Sequence, residues 1–234
     1  MPLPIFYAEE ISGQSSFTLN EDTSRHVVQV LRMKEGEQLR LTDGKGKTVT
    51  AEIISEHKKA TEVKVLSTSH IEHQTSQIAI AISLIKNNSR FEWFLEKATE
   101  IGVSEIIPLI CERTEKQHFR HDRMKNILVS AMLQSQQAWL PTLHEPVKFK
   151  EIIKTSAHQK KYIAHCIEEN KQTLSNQPTN QSTSQLILIG PEGDFTNEEI
   201  EFAKQNNFIP VGLGETRLRS ETAGVVAAVL LNRK

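Results

Sequence analysis

Apolar and polar positions change their period once along this chain, near residue 72. Before it, Leu39 and Leu41, then Val49, Ala51 and Ile53, then Val63 and Val65 recur two apart with polar residues between them. A period of two marks half-buried strands. Turn signals at Asp43-Gly44 and at residues 57–59 break the run into three strands, and a small β-barrel or curled sheet is predicted. Ahead of it, "TLNEDTSRHVVQVLRM" (18–33) predicts a short helix with Asn20 or Asp22 as N-cap and Val27, Val30 and Leu31 on its buried face.

After the polar stretch "STSHIEHQTSQ" the pattern becomes that of a parallel α/β sheet, so two domains are predicted, 1–72 and 73–234. "IAIAISL" (78–84) is a continuous apolar strand. "SRFEWFLEKATEIG" follows as a helix with Ser89-x-x-Glu92 as capping box, an apolar face of Phe91, Phe94, Leu95, Ala98 and Ile101, and a stop at Gly102. "EIIPLI" is the next strand, and strand, helix, strand in this order is the βαβ unit. A helix over 121–139 and the strand "KYIAHCI" come next, then "NKQTLSNQPTNQSTSQ", a polar connection without apolar periodicity that is expected to be mobile. Strand "LILI", a helix capped by Thr196-x-x-Glu199, strand "IPVGL" and helix "ETAGVVAAVLL" close the chain. The last helix is apolar nearly all round, which predicts burial between layers or against a partner chain.

Composition narrows the class without naming an activity. In 234 residues, 38% are hydrophobic and the formal net charge is −1, so a nucleic-acid partner would need a local basic patch. Cys111 and Cys166 lack any zinc or disulfide spacing, the nine histidines show no metal pattern, and no metal is expected. With neither a signal-peptide run nor a membrane-length apolar run, a cytoplasmic location is expected. Trp93 and Trp139 are read as packing residues.

Chemistry concentrates in two loops that each follow a strand. "GPEGD" (190–194) precedes a helix, and Glu215 lies about 20 residues on, where a dinucleotide fold keeps its ribose-binding acid. Against a dinucleotide stand the missing GxGxxG, the negative charge of Glu192 beside any pyrophosphate, and the mere 19 residues after Glu215. A ligand with positive charge and no phosphate, such as S-adenosylmethionine, removes the objection. Taken alone, each loop is better explained by backbone needs: Gly190 and Gly193 permit a tight turn, and Glu221 and Ser220 suit a helix start. "GLGETRLRSETAG" after the next strand makes the pair more telling, since loops at the carboxyl ends of parallel strands build one crevice.

"LIGPEGDFTNEE" with "LGETRLRSETA" resembles the paired C-terminal signature of the RsmE family, SPOUT-class methyltransferases of the uracil N3 in 16S ribosomal RNA. "HVVQVLRMKEGEQLRLTDGKG" is similar to the family's PUA-like barrel and "RFEWFLEKATEIGVSEIIPL" to its first methyltransferase motif. The chain departs from the family at Asp194, where a second glycine is usual, and at 133–137, where "LQSQQ" replaces a Glu-Gln-x-x-Arg run; Arg217 stands where Ile or Val is more usual.

The resemblance implies an α/β domain ending in a trefoil knot, S-adenosylmethionine as cofactor, 16S ribosomal RNA as partner and a homodimer. It implies cofactor contacts from Leu84, from Ile189, Gly190, Pro191, Glu192 and Gly193, from Leu213 and Gly214, and from Leu218, Arg219, Ser220 and Thr222. For an RNA substrate the phosphate contacts would come from Arg113, Lys116, Arg120 and Arg123, with Arg25 and Arg32 of the barrel as a weaker patch. Methylation at N3 needs stabilisation of a developing imide anion, and Arg219 suits it because a guanidinium presents fixed donors; Glu221 would orient Arg219 or assist proton removal. A non-catalytic RNA-binding or ribosome-assembly protein with the same folds is the alternative.

Overall fold

The computed structural model describes residues 3–11, 13–72, 77–115, 117–167, 171–177 and 183–233. It forms two compact units, Met1–His73 with Met132–Leu140, and Gln74–Ala131 with Pro141–Lys234.

In the first unit, strands β1 (Ile5–Tyr7), β2 (Ser16–Thr18), β3 (Gln38–Thr42), β4 (Lys47–Ser55) and β5 (Glu62–His70) form one sheet in the order β1-β3-β4-β5-β2. β1 runs parallel to β3, and the remaining pairs are antiparallel. Leu39, Leu41, Val49, Ala51, Ile53 and Val63 are buried in one cluster, as their alternation predicts. The helix before the sheet is shorter than its pattern suggests. α1 (Glu21–Arg25) is capped by the Asn20 side chain, which accepts from the Thr23 N–H at 2.8 Å, and then widens into a π-helical turn, His26–Val30. That wider turn changes which residues share a face. Val27 is fully buried, but Val30 and Leu31 are 65% and 45% exposed, against expectation.

Met132–Leu140 belongs to this unit for a visible reason. The turn between β3 and β4 has Gly44 and Gly46 at φ +69 and +91, and the segment is bonded to it: Leu140 N–H donates to Gly44 O at 2.8 Å, and Gly46 N–H to Ala138 O at 2.9 Å. A side chain on Gly46 would collide with the Trp139 ring at 2.6 Å. The helix expected over 121–139 therefore stops early, and α3 spans His121–Gln134.

In the second unit eight strands lie in one sheet, and every pair is parallel. They are β6 (Ile78–Ser83), β7 (Glu105–Ile110), β8 (Thr142–Leu143), β9 (Val147–Lys148), β10 (Lys160–Ala164), β11 (Gln172–Thr173), β12 (Gln185–Ile189) and β13 (Ile209–Gly212). Their order is β11-β13-β10-β12-β6-β7-β8, with β9 also on β7. Burial on both faces explains the unbroken apolar runs. One face packs on α4 (Phe149–Thr155) and α5 (Asn197–Gln205) through Phe149, Ile153, Ile200 and Ala203. The other meets α6 (Ser220–Leu231), which also packs on α2 (Asn88–Ile101).

Caps fall partly where the sequence puts them. Thr196 and Glu199 form the expected capping box on α5, and Gly102 ends α2 in the left-handed region at φ +91. The start of α2 differs: Asn87, not Ser89, is the cap, and its side chain accepts from the Ser89 N–H at 2.9 Å. The polar connection after β10 is not wholly irregular, since Gln172–Thr173 adds a strand to β13 and Leu174 is buried; residues 168–170 and 178–182 lie outside the described ones. No helix among the described residues is long and apolar enough to cross a membrane.

Candidate functional site

The register of the parallel sheet brings four strand ends to one level. Ile82 of β6 pairs with Ile189 of β12, Ile189 with Ala164 of β10, and Ala164 with Val211 of β13. The two glycine-bearing loops leave from β12 and β13, and β10 lies between those strands. The loops therefore do not follow neighbouring strands. They flank the end of β10, and the gap over it is a cavity of 1120 Å³. In a parallel α/β sheet this is where ligands bind.

Nine of the residues expected to meet a cofactor line this cavity: Ile189, Gly190, Pro191, Glu192, Leu213, Gly214, Leu218, Arg219 and Ser220. Leu84, Gly193, Thr222 and Glu221 are not among its lining residues. Leu84 is buried just beyond β6, and Gly193 is turned toward Arg113. The lining also includes His165, Cys166, Ile167 and Lys171 from the segment after β10, with Asp194, Glu215 and Arg217. The sequence marks "KYIAHCI" as a strand but has no signal for its place between the other two. Strand order is a property of long-range pairing, and a local pattern does not carry it.

Each loop is held by specific bonds. The Gly190 position is tight, because a Cβ there would meet the Phe195 ring and backbone N–H at 3.2 Å. Ser220 Oγ donates to Gly190 O at 2.8 Å and so ties the start of α6 to the loop after β12. Glu192 Oε1 accepts from the Lys86 N–H at 3.1 Å, anchoring the same loop to the chain after β6. Its carboxylate is thus a fastening as well as a charge at the cavity wall. Arg113 Nη1 donates to Gly193 O at 2.6 Å and to Phe195 O at 3.5 Å. Behind it, Ser83 and Thr114 hydroxyls share a 2.9 Å bond, and Glu199 accepts from the Glu112 N–H at 2.9 Å. Burial and the Glu199 charge push the Cys111 thiol far above its ordinary range, so it serves as packing.

Arg219 is the N-cap of α6 and is exposed at the cavity, where the positive end of the helix dipole adds to its own charge. Glu221, two residues on, is only 6% exposed and faces Arg90 of α2, with Nε and Oε1 3.7 Å apart. Its other oxygen has no hydrogen-bond partner among the described residues. The carboxylate is thus engaged by Arg90, a residue the sequence does not single out.

The residues expected on RNA have varied surroundings. Arg113 is committed to the loop after β12, and Arg123 makes a two-pronged bond to Glu92 at 2.7 and 3.0 Å, which holds its guanidinium above its ordinary range. Arg120 is exposed, and Lys116 lies outside the described residues. In the first unit Arg25 pairs with Glu21 at 2.9 Å, while Arg32 is exposed and left-handed at φ +55. No group of three metal-binding side chains occurs among the described residues.

The cavity walls offer Glu192, Asp194 and Glu215 against Lys171, Arg217 and Arg219, with much backbone between them. That mixture suits a compact ligand with charges of both signs better than a pyrophosphate.

Comparison with known proteins agrees with this geometry. Residues 72–232 match the RNA methyltransferase domain family and residues 19–66 the RNA methyltransferase PUA domain family. A probable rRNA-methyltransferase from Porphyromonas gingivalis superposes with a TM-score of 0.90 at 38% identity, over 97% of this chain and 95% of that one. The ribosomal RNA small subunit methyltransferase E of Neisseria gonorrhoeae, solved bound to S-adenosyl methionine, has a TM-score of 0.86 at 28% identity, over 97% and 95%. The protein of the same name from Rickettsia conorii is 26% identical over 225 residues, 95% of this chain and 92% of that protein. With its α/β parallel sheet following a curled PUA-like sheet, and with matches that span both, this chain belongs to the RNA methyltransferase domain family, as a protein of the RsmE type.

Proposed function

We propose that this protein transfers a methyl group from S-adenosylmethionine to N3 of a uridine in small-subunit (16S) ribosomal RNA. The observation that carries the reading is the crevice over β10, walled by two glycine-bearing loops and by side chains of both charge signs. Bound there, S-adenosylmethionine supplies an electrophilic methyl group on a sulfonium.

The chain's own residues have separable tasks. Backbone groups around Gly190 and Gly214 and the side chains of Ile189, Leu213 and Leu218 hold the cofactor. Arg219 stands at the N-terminus of α6, where guanidinium and helix dipole together stabilise negative charge on the uracil as its N3 proton is lost. Glu221 acts through Arg90, fixing the first turn of α6 and so the direction of Arg219. Arg120, which is exposed, serves as a phosphate contact, and Arg25 and Arg32 of the first unit as weaker ones.

Two finer features belong to the same reading. A trefoil knot in the α/β domain is supported by the return of the chain from β12 past β10 to β13, with Ser220 tied back to Gly190. A homodimer is supported by apolar side chains left at the surface, Trp93 on α2 at 42% and Val229 on α6 at 51% exposure.

Titration calorimetry with S-adenosylhomocysteine and with NAD tests the cofactor. Micromolar binding of the first alone is expected. Binding of NAD without the other would end the methyltransferase reading, and failure to bind either would favour an RNA-binding assembly protein. Mapping uridine methylation on small-subunit ribosomal RNA from cells lacking the protein then identifies the nucleotide.

A further inference from the structure

The loop after β12 contains a residue whose conformation is uphill for its type. Asp194 has φ +64, in the left-handed region that glycine enters freely and that most side chains disfavour. Two bonds to its carboxylate offset this. Oδ2 accepts from the Cys166 N–H at 2.7 Å, and Oδ1 from the Phe195 N–H at 2.8 Å. The second bond is local and shapes the turn. The first spans 28 positions of sequence and joins the loop after β12 to the chain just beyond β10.

We propose that Asp194 is a positioning residue of the crevice: its carboxylate latches the loop after β12 to the end of β10 and thereby holds the cofactor-binding backbone in shape. This deepens the function proposed above and rests on it.

Three observations carry the inference. β10 and β6 are the two neighbours of β12 in the sheet, and the loop is fastened to both, by Asp194 on the β10 side and by Glu192 through the Lys86 N–H on the β6 side. The β10 side is where the cavity lies, and both Asp194 and Cys166 line it, so the latch forms part of its wall. Beyond Ala164 the ladder between β10 and β12 has ended, so the Cys166 N–H has no strand partner and the carboxylate supplies the acceptor. The exposed Cys166 thiol is held above its ordinary range, first by partial desolvation and then by the Asp194 charge. The amide of this residue, not its sulfur, is the group in use.

The test compares wild type with Asp194→Gly and Asp194→Asn. Glycine keeps the left-handed backbone and removes the latch; asparagine tolerates the same backbone but keeps only one acceptor oxygen for the two N–H donors, and not the charge. S-adenosylhomocysteine affinity is measured by calorimetry, folding by thermal melting, and the Cys166 amide by hydrogen exchange in uniformly labelled, ligand-free protein. Asp194→Gly removes both bonds and is expected to weaken binding about tenfold, the scale of losing the one that reaches across to β10, with faster Cys166 exchange and a melting temperature within a few degrees of wild type. Asp194→Asn should fall between wild type and the glycine variant, because its single amide oxygen can accept from only one of the two N–H donors. Wild-type affinity in the glycine variant would overturn the proposal, and so would weakened binding with unchanged Cys166 exchange, because the carboxylate would then act by charge and not by latching. A wild type that fails to bind would overturn the methyltransferase reading itself and the positioning role with it, while Cys166 exchange would still show whether the latch exists.

Discussion

At the scale of single residues, Arg219 separates chemistry from binding. Its side chain is exposed at the cavity and makes no capping hydrogen bond to α6, so Arg219→Ala removes charge without removing a side-chain cap. The expected result is a fall in single-turnover methylation of small-subunit particles by two to three powers of ten, with S-adenosylhomocysteine affinity nearly unchanged, as for loss of one preorganised donor. Proportional loss of affinity would make Arg219 a cofactor ligand instead. Glu105 gives a prediction about pH. Its carboxyl is held below the ordinary range, first by its hydrogen bond with His158 and further by His144, against the opposing effect of burial. A carboxyl whose folded pKa is depressed stabilises the protein above its unfolded pKa and loses that contribution as pH falls through the folded value. Glu105→Gln should therefore cost about 1 kcal/mol at pH 7, at the low end for a partly exposed charged bond. In denaturant titrations the difference should shrink below about pH 4 and vanish in stronger acid.

At the scale of elements, the contact between α2 and α6 depends on one missing side chain. A Cβ at Gly224 would lie 2.6 Å from the Phe94 ring and 3.2 Å from Ile82 Cδ1, so the two helices and the sheet meet there without room for a methyl group. Gly224→Val is expected to lower stability by about 2 to 3 kcal/mol, measured by chemical denaturation, despite the better helix propensity of valine. The start of α6 carries Arg219, so a displaced helix should also slow methylation. Legibility at this scale was uneven. The apolar stripe of α2 and the capping box of α5 were readable because both depend on residues three or four apart. The end of α3 was not, since the residues after it are drawn off by bonds to Gly44 and Gly46 about 90 positions earlier.

At the scale of the whole molecule, the exposed apolar side chains of α2 and α6 predict self-association. Sedimentation of the full chain at micromolar concentration should give a dimer, and Val229→Glu should shift it toward monomer. A monomeric wild type would contradict the proposed assembly. The full chain is the right material, because Met132–Leu140 belongs to the first unit, and a fragment starting near residue 73 would carry that piece without the hairpin turn to which it is bonded.

What the sequence by itself determined is whatever short-range chemistry can specify. The period of two before residue 72, the continuous apolar strands after it and the helix starts are local consequences of side-chain type. So is the conclusion that a carboxylate in "GPEGD" disfavours a phosphate ligand, since it needs only a charge and a turn. Only the tertiary structure decided that β10 separates the two loops, that Glu192 and Asp194 each fasten the loop to a different neighbour of β12, and that Glu221 answers to Arg90. The physical reason is the same for all three. Parallel strands are joined by crossovers and not by hairpins, so which strand ends lie side by side is settled by packing over the whole sheet, and the two hydrogen bonds and the ion pair that depend on it join residues 28 to 131 positions apart.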